Sequence, residues 1–340
     1  MPRRLSQSTV LLENRPYILK YAAVGGKKEG EGPLGEQFDK IFTDTTLGES
    51  TWEKAESRMQ TEACQTVFAK SGLAVSDIDV MFAGDLLNQC AGSAYGLRDF
   101  QIPFYGLYGA CSTMAESLSL AALFVDAKIA RKTLSVTSSH FCSSERQFRF
   151  PLEYGGQRTP TAQWTATASG AVILSDKAQS SIRINAVCTG KIKDLGITDA
   201  NNMGAAMAPA AADTIKTYLF DTSTTPKDYD MIFTGDLGAV GTELLYELMQ
   251  KDGVDLSGRH NDCGLMLFDR EAQDVHAGGS GCGCSAGVLC SHILPELQAH
   301  KLTNILFVAT GALMSTTSVQ QGQSIPGIAH LVHIKSEKEA

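Results

Sequence analysis

The stretch Asp77-Ile78-Asp79-Val80-Met81-Phe82-Ala83-Gly84-Asp85-Leu86 returns 151 positions later as Asp228-Tyr229-Asp230-Met231-Ile232-Phe233-Thr234-Gly235-Asp236-Leu237, with six of ten positions identical. Each copy is an apolar run, Val80 to Ala83 or Met231 to Thr234, closing on Gly-Asp-Leu. That is the pattern of a buried strand that ends in a sharp turn. Ten matched residues decide little until their surroundings repeat as well.

The surroundings do repeat. A helical segment precedes each copy: about Thr51 to Ser71, with Trp52, Ala55, Met59, Ala63 and Val67 at helical spacing and Ser50 to Glu53 as a capping box, and about Ala205 to Phe220. After each copy comes a glycine-flanked turn bearing cysteine, then an apolar helix, then a strand. In the first half these are Gly109-Ala110-Cys111-Ser112, Ala115 to Ala130 and Thr133 to Thr137. In the second they are Gly281-Cys282-Gly283-Cys284, Ala286 to Leu297 and Asn304 to Thr310. The chain is therefore expected to form two similar α/β halves, residues 1–180 and 181–340.

At 340 residues the chain exceeds the size at which a single core usually stops growing, which suits two halves. Its net charge of −8 disfavours phosphate backbones and anionic lipid, so nucleic acid is not expected as a partner. The basic clusters, Arg3 with Arg4 and Arg146, Arg149, Arg158, read as solvated faces, as do Lys27 and Lys28 in the glycine-rich loop after the strand Tyr17 to Gly25. Nine cysteines, an odd number lying in apolar or glycine-rich runs, favour reduced thiols. No stretch has the length of a membrane span, and polar residues interrupt the N-terminal region where a signal peptide needs an apolar core. The expectation is a protein made in the cytoplasm that reaches a membrane only by docking.

Cys111 is the most chemically pointed position. It follows a compact turn and is expected to begin a helix, whose positive end would lower the thiol pKa. The connection Leu87-Asn88-Gln89-Cys90 leaves the C-terminal end of a strand, where α/β folds build their sites. Ser138 to Arg158 reads as a long polar and aromatic flap. Cys282, Cys284, Cys290 and His292 lack the knuckle spacing of a metal site and read as close packing.

The duplicated halves, the Gly109-Ala110-Cys111-Ser112 turn, the strand start Ser169-Gly170-Ala171 and the glycine-rich loop Gly278 to Ser285 together resemble the thiolase and ketoacyl synthase superfamily over nearly the whole chain. Within it, Ala83 to Gln89, Tyr108 to Ser112, Phe233 to Gly238 and Ile325 to His330 are similar to the stage V sporulation protein AD family of spore-forming bacteria. The superfamily resemblance implies a thiolase-like fold, two pseudo-symmetric α/β halves in a layered αβαβα arrangement, with Cys111 at the nucleophile position. The two positions where condensing enzymes place partner residues fall at Phe233 to Asp236, which has no histidine, and within Gly278 to Gly281, which offers only Ser280. An acidic Asp236 would oppose the negative charge that develops in a Claisen condensation.

The family resemblance thus implies a binding protein and not an enzyme. Its ligand would be dipicolinic acid, its place a multi-subunit complex at the spore inner membrane that moves this acid with calcium. No cofactor or metal of its own is implied; calcium enters as the dipicolinate chelate. Expected ligand contacts are Asp85, Asn88, Cys111, Asp236, Ser280 and Ser315, with Ser315 facing Cys111 across the pocket. Homodimers are usual in the superfamily. The alternative is a Cys111-dependent acyltransferase or 3-oxoacyl synthase-like enzyme with His140 as the candidate base.

Overall fold

The computed structural model describes residues 2–149 and 157–337. Its main sheet path holds ten strands: β1 (Tyr17–Gly25), β2 (Val80–Gly84), β3 (Phe104–Leu107), β4 (Lys132–Ser139), β5 (Ala168–Ser175), β6 (Ile182–Cys188), β7 (Met231–Thr234), β8 (His260–Asp262), β9 (Asn304–Ala312) and β10 (Gly327–Ser336). Their order is β8-β7-β9-β10-β6-β1-β5-β4-β2-β3, which reads the same from either end once each strand is matched with the one five places later. Along this path the two halves are joined where β1 pairs with β6, through Tyr17 and Arg183. In both, the inner pairings around β2 and β7 are parallel and the β4–β5 and β9–β10 pairings antiparallel.

The principal helices are α1 (Trp52–Ser71), α2 (Ala91–Leu97), α3 (Thr113–Asp126), α4 (Phe141–Arg149), α5 (Met203–Thr222), α6 (Gly238–Lys251) and α7 (Cys282–Val288), the last running on through Leu289–Ile293 to Leu294–Gln298. Every residue of α7 is buried, and α3 buries polar Thr113, Ser117, Ser119 and Asp126 along with its alanines and leucines. Helices without a solvent face must be covered on all sides. α3 accordingly touches β2 and β4 of its own half and β9 and β10 of the other, while α1 covers the first half from outside and α5 the second. The layering is αβαβα.

Several local expectations change. The α1 N-cap is Thr51, whose hydroxyl accepts from the Lys54 amide at 3.3 Å, and Ser50 instead accepts from Lys54 Nζ. Ser138 and Ser139 complete β4, and Phe141–Arg149 is a helix, not an open flap; the Tyr154 to Gly156 part lies outside the described residues. Lys28 is not merely solvated. Its ammonium sits 4.3 Å from the Trp164 ring centroid and donates to the Gln273 carbonyl.

The end of β9 packs on the turn before α3. A Cβ on Gly311 would lie 2.4 Å from the Gly109 carbonyl oxygen and 3.3 Å from the Cys111 amide nitrogen, so only a bare Cα fits between strand and turn. Gly311→Ala should destabilise the protein by roughly 1–3 kcal/mol, the usual range for overpacking, read as a lower denaturant midpoint. An unchanged midpoint would mean the two halves do not meet this closely.

Candidate functional site

Cys111 lies in a tight 3₁₀ turn, Ala110–Ser112, that precedes α3. Ala110 is held at φ +50°, a left-handed conformation that non-glycine residues adopt rarely and that concentrates at functional sites. The Ser112 hydroxyl donates to the Gly109 carbonyl at 2.7 Å and that of Thr113 to Ala110 at 2.6 Å, which fixes the turn from within. The thiol is buried in a small cluster with Leu86 and Cys282, roofed by Phe148 from α4.

Facing it is Asp236. The Thr310 hydroxyl donates to its Oδ1 at 2.8 Å, and the Gly281 amide and Ser280 hydroxyl donate to Oδ2 at 2.8 and 3.3 Å. The Cys111 thiol lies beside this carboxylate, which raises the thiol's pKa, while the thiol lowers that of the carboxylate. Burial outweighs these donors and pushes the Asp236 pKa up to about 6. For Cys111 the sequence-based expectation reverses. Burial first, and then the neighbouring Asp236, raise the thiol pKa well above its ordinary value. The helix dipole cannot offset this, since α3 starts only at Thr113 and a helix end carries about half an elementary charge. The thiol is held protonated here and is not a thiolate.

Of the six expected ligand contacts, the structure brings Cys111, Asp236 and Ser280 together. Asp85 is committed to its own backbone, accepting from the Leu87 amide at 2.8 Å and from the Ser93 amide and hydroxyl at 2.7 and 2.6 Å, and so pins the turn into α2. Asn88 is exposed and lines a cleft of about 400 Å³ with Glu53, Leu87, Ala91, Ser143, Arg146 and Gln147. Ser315 does not face Cys111. It is exposed and caps the helix Thr316–Gln320, accepting from the Ser318 amide at 3.1 Å, because β9 continues to Ala312 and carries the chain past the site before it turns. His140 bonds the Thr45 carbonyl through Nε2 at 2.8 Å, and burial lowers its pKa. Cys282 donates to the Ser138 carbonyl at 2.9 Å while His292 meets Gln37.

Thr310, Gly281 and Phe148 were missed by sequence reasoning. Thr310 stands inside an apolar strand run, where nothing marks one hydroxyl as special, and Phe148 reaches Cys111 only through the fold of α4. A wider cleft of about 760 Å³, lined among others by Arg58, Tyr95 and Arg98, shares Glu53, Leu87 and Ala91 with the Asn88 cleft. Leu86 and Phe148 of the Cys111 cluster are chain neighbours of Leu87 and Gln147 on the cleft wall.

Iodoacetamide at pH 8 should therefore label half-buried Cys142 well before Cys111, and Asp236→Asn should speed labelling of Cys111 by removing the adjacent negative charge. Peptide mass mapping reads both rates. Equal labelling of the two thiols in the unaltered protein would contradict the buried, protonated state.

A sequence model of the stage V sporulation protein AD (SpoVAD) family matches residues 6–335. Stage V sporulation protein AD of Bacillus subtilis (strain 168) is 44% identical over 324 residues, 95% of each chain. Among solved structures, cerulenin-bound OleA of Xanthomonas superposes with a TM-score of 0.60, covering 98% of this chain and 100% of that one at 10% identity. Human mitochondrial 3-ketoacyl-CoA thiolase gives 0.60 over 95% and 100% at 12% identity. For 3-oxoacyl-[acyl-carrier-protein] synthase III from Aquifex aeolicus VF5 the score is 0.56 over 94% and 99% at 10% identity. Such low identities speak to the fold alone. Sequence and architecture converge on one conclusion: the chain belongs to the stage V sporulation protein AD family and has the thiolase-like α/β fold.

Proposed function

We propose that the protein binds dipicolinate and does not catalyse a condensation. The ligand, pyridine-2,6-dicarboxylate, would enter along the cleft at Asn88, Arg146 and Gln147 and seat against Cys111 and Asp236. The observation that carries this reading is the buried Asp236 carboxylate beside the buried Cys111 thiol. Acyl transfer needs a thiolate and neutral or cationic donors for the developing oxyanion. An acid in this position keeps the thiol protonated and opposes that charge. Membership in a sporulation family supports a dipicolinate role, and we infer a peripheral place in a spore inner membrane complex that takes up this acid. In keeping with a peripheral subunit, no helix among the described residues is long and apolar enough to cross a membrane.

A dianion beside Asp236 needs that carboxyl protonated or bridged by a cation. Calcium chelated by the ligand keeps coordination positions open for a carboxylate oxygen. The sign of the pH dependence follows. In the free protein Asp236 loses its proton as pH rises through about 6, and the bound dianion would hold that proton more tightly, so binding takes up a proton above this pH. Calorimetric affinity for dipicolinate without calcium should thus weaken as pH rises from about 6 toward 8, by up to tenfold per unit for one coupled proton. Calcium should flatten the profile, and Asp236→Asn should abolish it. Affinity independent of pH and unchanged in Asp236→Asn and Cys111→Ala would sink the assignment. Appearance of an acyl adduct on Cys111 with turnover, seen by intact mass after incubation with acyl-CoA, would favour the acyltransferase instead.

A second copy of the chain is the proposed partner of edge strand β3, which exposes Phe104 and Tyr105 at the end of the sheet. Unprotected aromatic edge strands invite pairing. Tyr105→Lys should shift the sedimenting species from dimer to monomer; a monomer in the unaltered protein would refute the pairing.

A further inference from the structure

We propose a second ligand site, remote from Cys111, that takes a carboxylate with an amide N–H beside it, as in an N-acylated amino acid. It is a cleft of about 620 Å³ between the N-terminal segment and α5, within the usual size range of small-molecule sites. Its floor includes His333, bonded to Asn304 at the start of β9, whereas Thr310 and Gly311 near the end of that strand meet the Cys111 site. Six residues of strand, about 20 Å, separate the two.

The centre of the site is Asn185. Pairing of β6 with β10 skips from Ile184 to Ala186, so Asn185 is the extra residue of a β-bulge. Bulges unpair one residue and re-aim its side chain. Here the side chain lines the cleft, and Oδ1 is buried without a hydrogen-bond partner. A buried acceptor left in that state is costly, so it is a place for a donor to arrive.

Two guanidinium groups flank it. Ile184 donates to the Pro16 carbonyl and Leu12 to that of Asn185, which lays the segment between them along the bulge. Arg15 is held there at φ +47°, after Asn14 whose amide and side chain both bond Asp126 at 2.6 Å. On the other side Arg3 pairs with Leu11, and Leu11 with Ala186. Arg15 reaches Glu337 at 3.2 Å, while Arg3 is exposed and has no ion-pair partner among the described residues. Guanidinium forks match carboxylates in two-point contacts.

The floor is aromatic and electrically neutral. Asn304 donates its Nδ2 to the Asp228 carbonyl, which turns Oδ1 toward His333 Nε2 at 2.6 Å. An amide oxygen only accepts, so Nε2 carries the proton and Nδ1 accepts from the Tyr218 hydroxyl at 2.7 Å. Burial drives the His333 pKa down to about 3, so the ring adds no charge. Asp221 is engaged by Ser6 and Thr9. With Glu13 and Asp221 also in the lining and Glu337 on Arg15, the cleft has no surplus positive charge to hold a doubly charged phosphate ester, and a single carboxylate suits it better. A carboxylate would meet the arginines, its neighbouring N–H would meet Asn185 Oδ1, and an apolar side chain would lie on Leu5, Leu11 and Leu12. Dipicolinate fits poorly, having two negative charges and a ring nitrogen that accepts.

The test is titration, by protein-observed NMR, with N-acetyl-L-leucine, N-acetyl-L-leucinamide and a tetrapeptide ending in leucine. The acid and the peptide should bind in the millimolar range or better, and the amide about tenfold more weakly. Arg3→Gln, a change on an exposed strand, and Asn185→Ala should each weaken acid binding severalfold and leave dipicolinate titration untouched. Peptide tighter than free acid assigns the ligand to a protein C-terminus; equal affinity assigns it to a free acid. Absence of binding to the unaltered protein, equal binding of acid and amide, or unchanged affinity in Arg3→Gln would overturn the proposal.

Discussion

Two helices packed deep in the molecule, α3 and α7, impose the architecture. Each must be covered on every side, and β-sheet on both sides is the arrangement the duplicated sequence supplies. Because both helices start at the rim of the buried layer, the turns before them, Ala110 to Ser112 and Gly279 to Gly281, come together, and Asp236 closes the gap between them. The contact of Gly311 with Gly109 and Cys111 locks the second-half sheet to the first-half turn. The site is thus made by the same packing that holds the halves together.

Repetition of sequence does not bring repetition of role. Asp85 and Asp236 occupy the same position of the repeated stretch, yet Asp85 holds its own turn and Asp236 reaches across to Cys111. The cause lies one strand away. In the second half Asp262, paired with Thr234 in register, accepts from the Leu237 and Gly238 amides at 2.8 and 2.9 Å. At the matching place in the first half, Ala83 pairs with Gly106, which has no side chain to offer. Asp85 must therefore satisfy its own turn amides, and Asp262 frees Asp236 for the site.

Burial then decides the chemistry. Asp236 has three donors, enough in water-exposed surroundings to favour the ionised form, but full burial raises its pKa nonetheless. The same burial, with a carboxylate as neighbour, keeps Cys111 as a thiol. A residue that resembles a nucleophile by position is held protonated by its environment.

Much of the architecture was legible in the chain itself: the repeated apolar strand with its Gly-Asp-Leu turn, the apolar helices after Cys111 and Gly281, and the strand Tyr17–Gly25 all carry local patterns of spacing and turn residues. Cys111 could be singled out because it stands at a turn entering a periodic segment, and Asp236 and Ser280 because the superfamily resemblance places partner residues at their positions. Ser315 could not be placed, since where β9 ends depends on nine residues of pairing with β10 and not on its own sequence. Thr310 and Phe148 join the site from segments distant in sequence. The protonation of Cys111 was also closed to sequence reasoning, because a thiol's pKa depends on desolvation and on which charges lie near it in space. Periodicity and turns are properties of neighbours along the chain; burial and electrostatics are properties of neighbours across it, and only the folded structure names those.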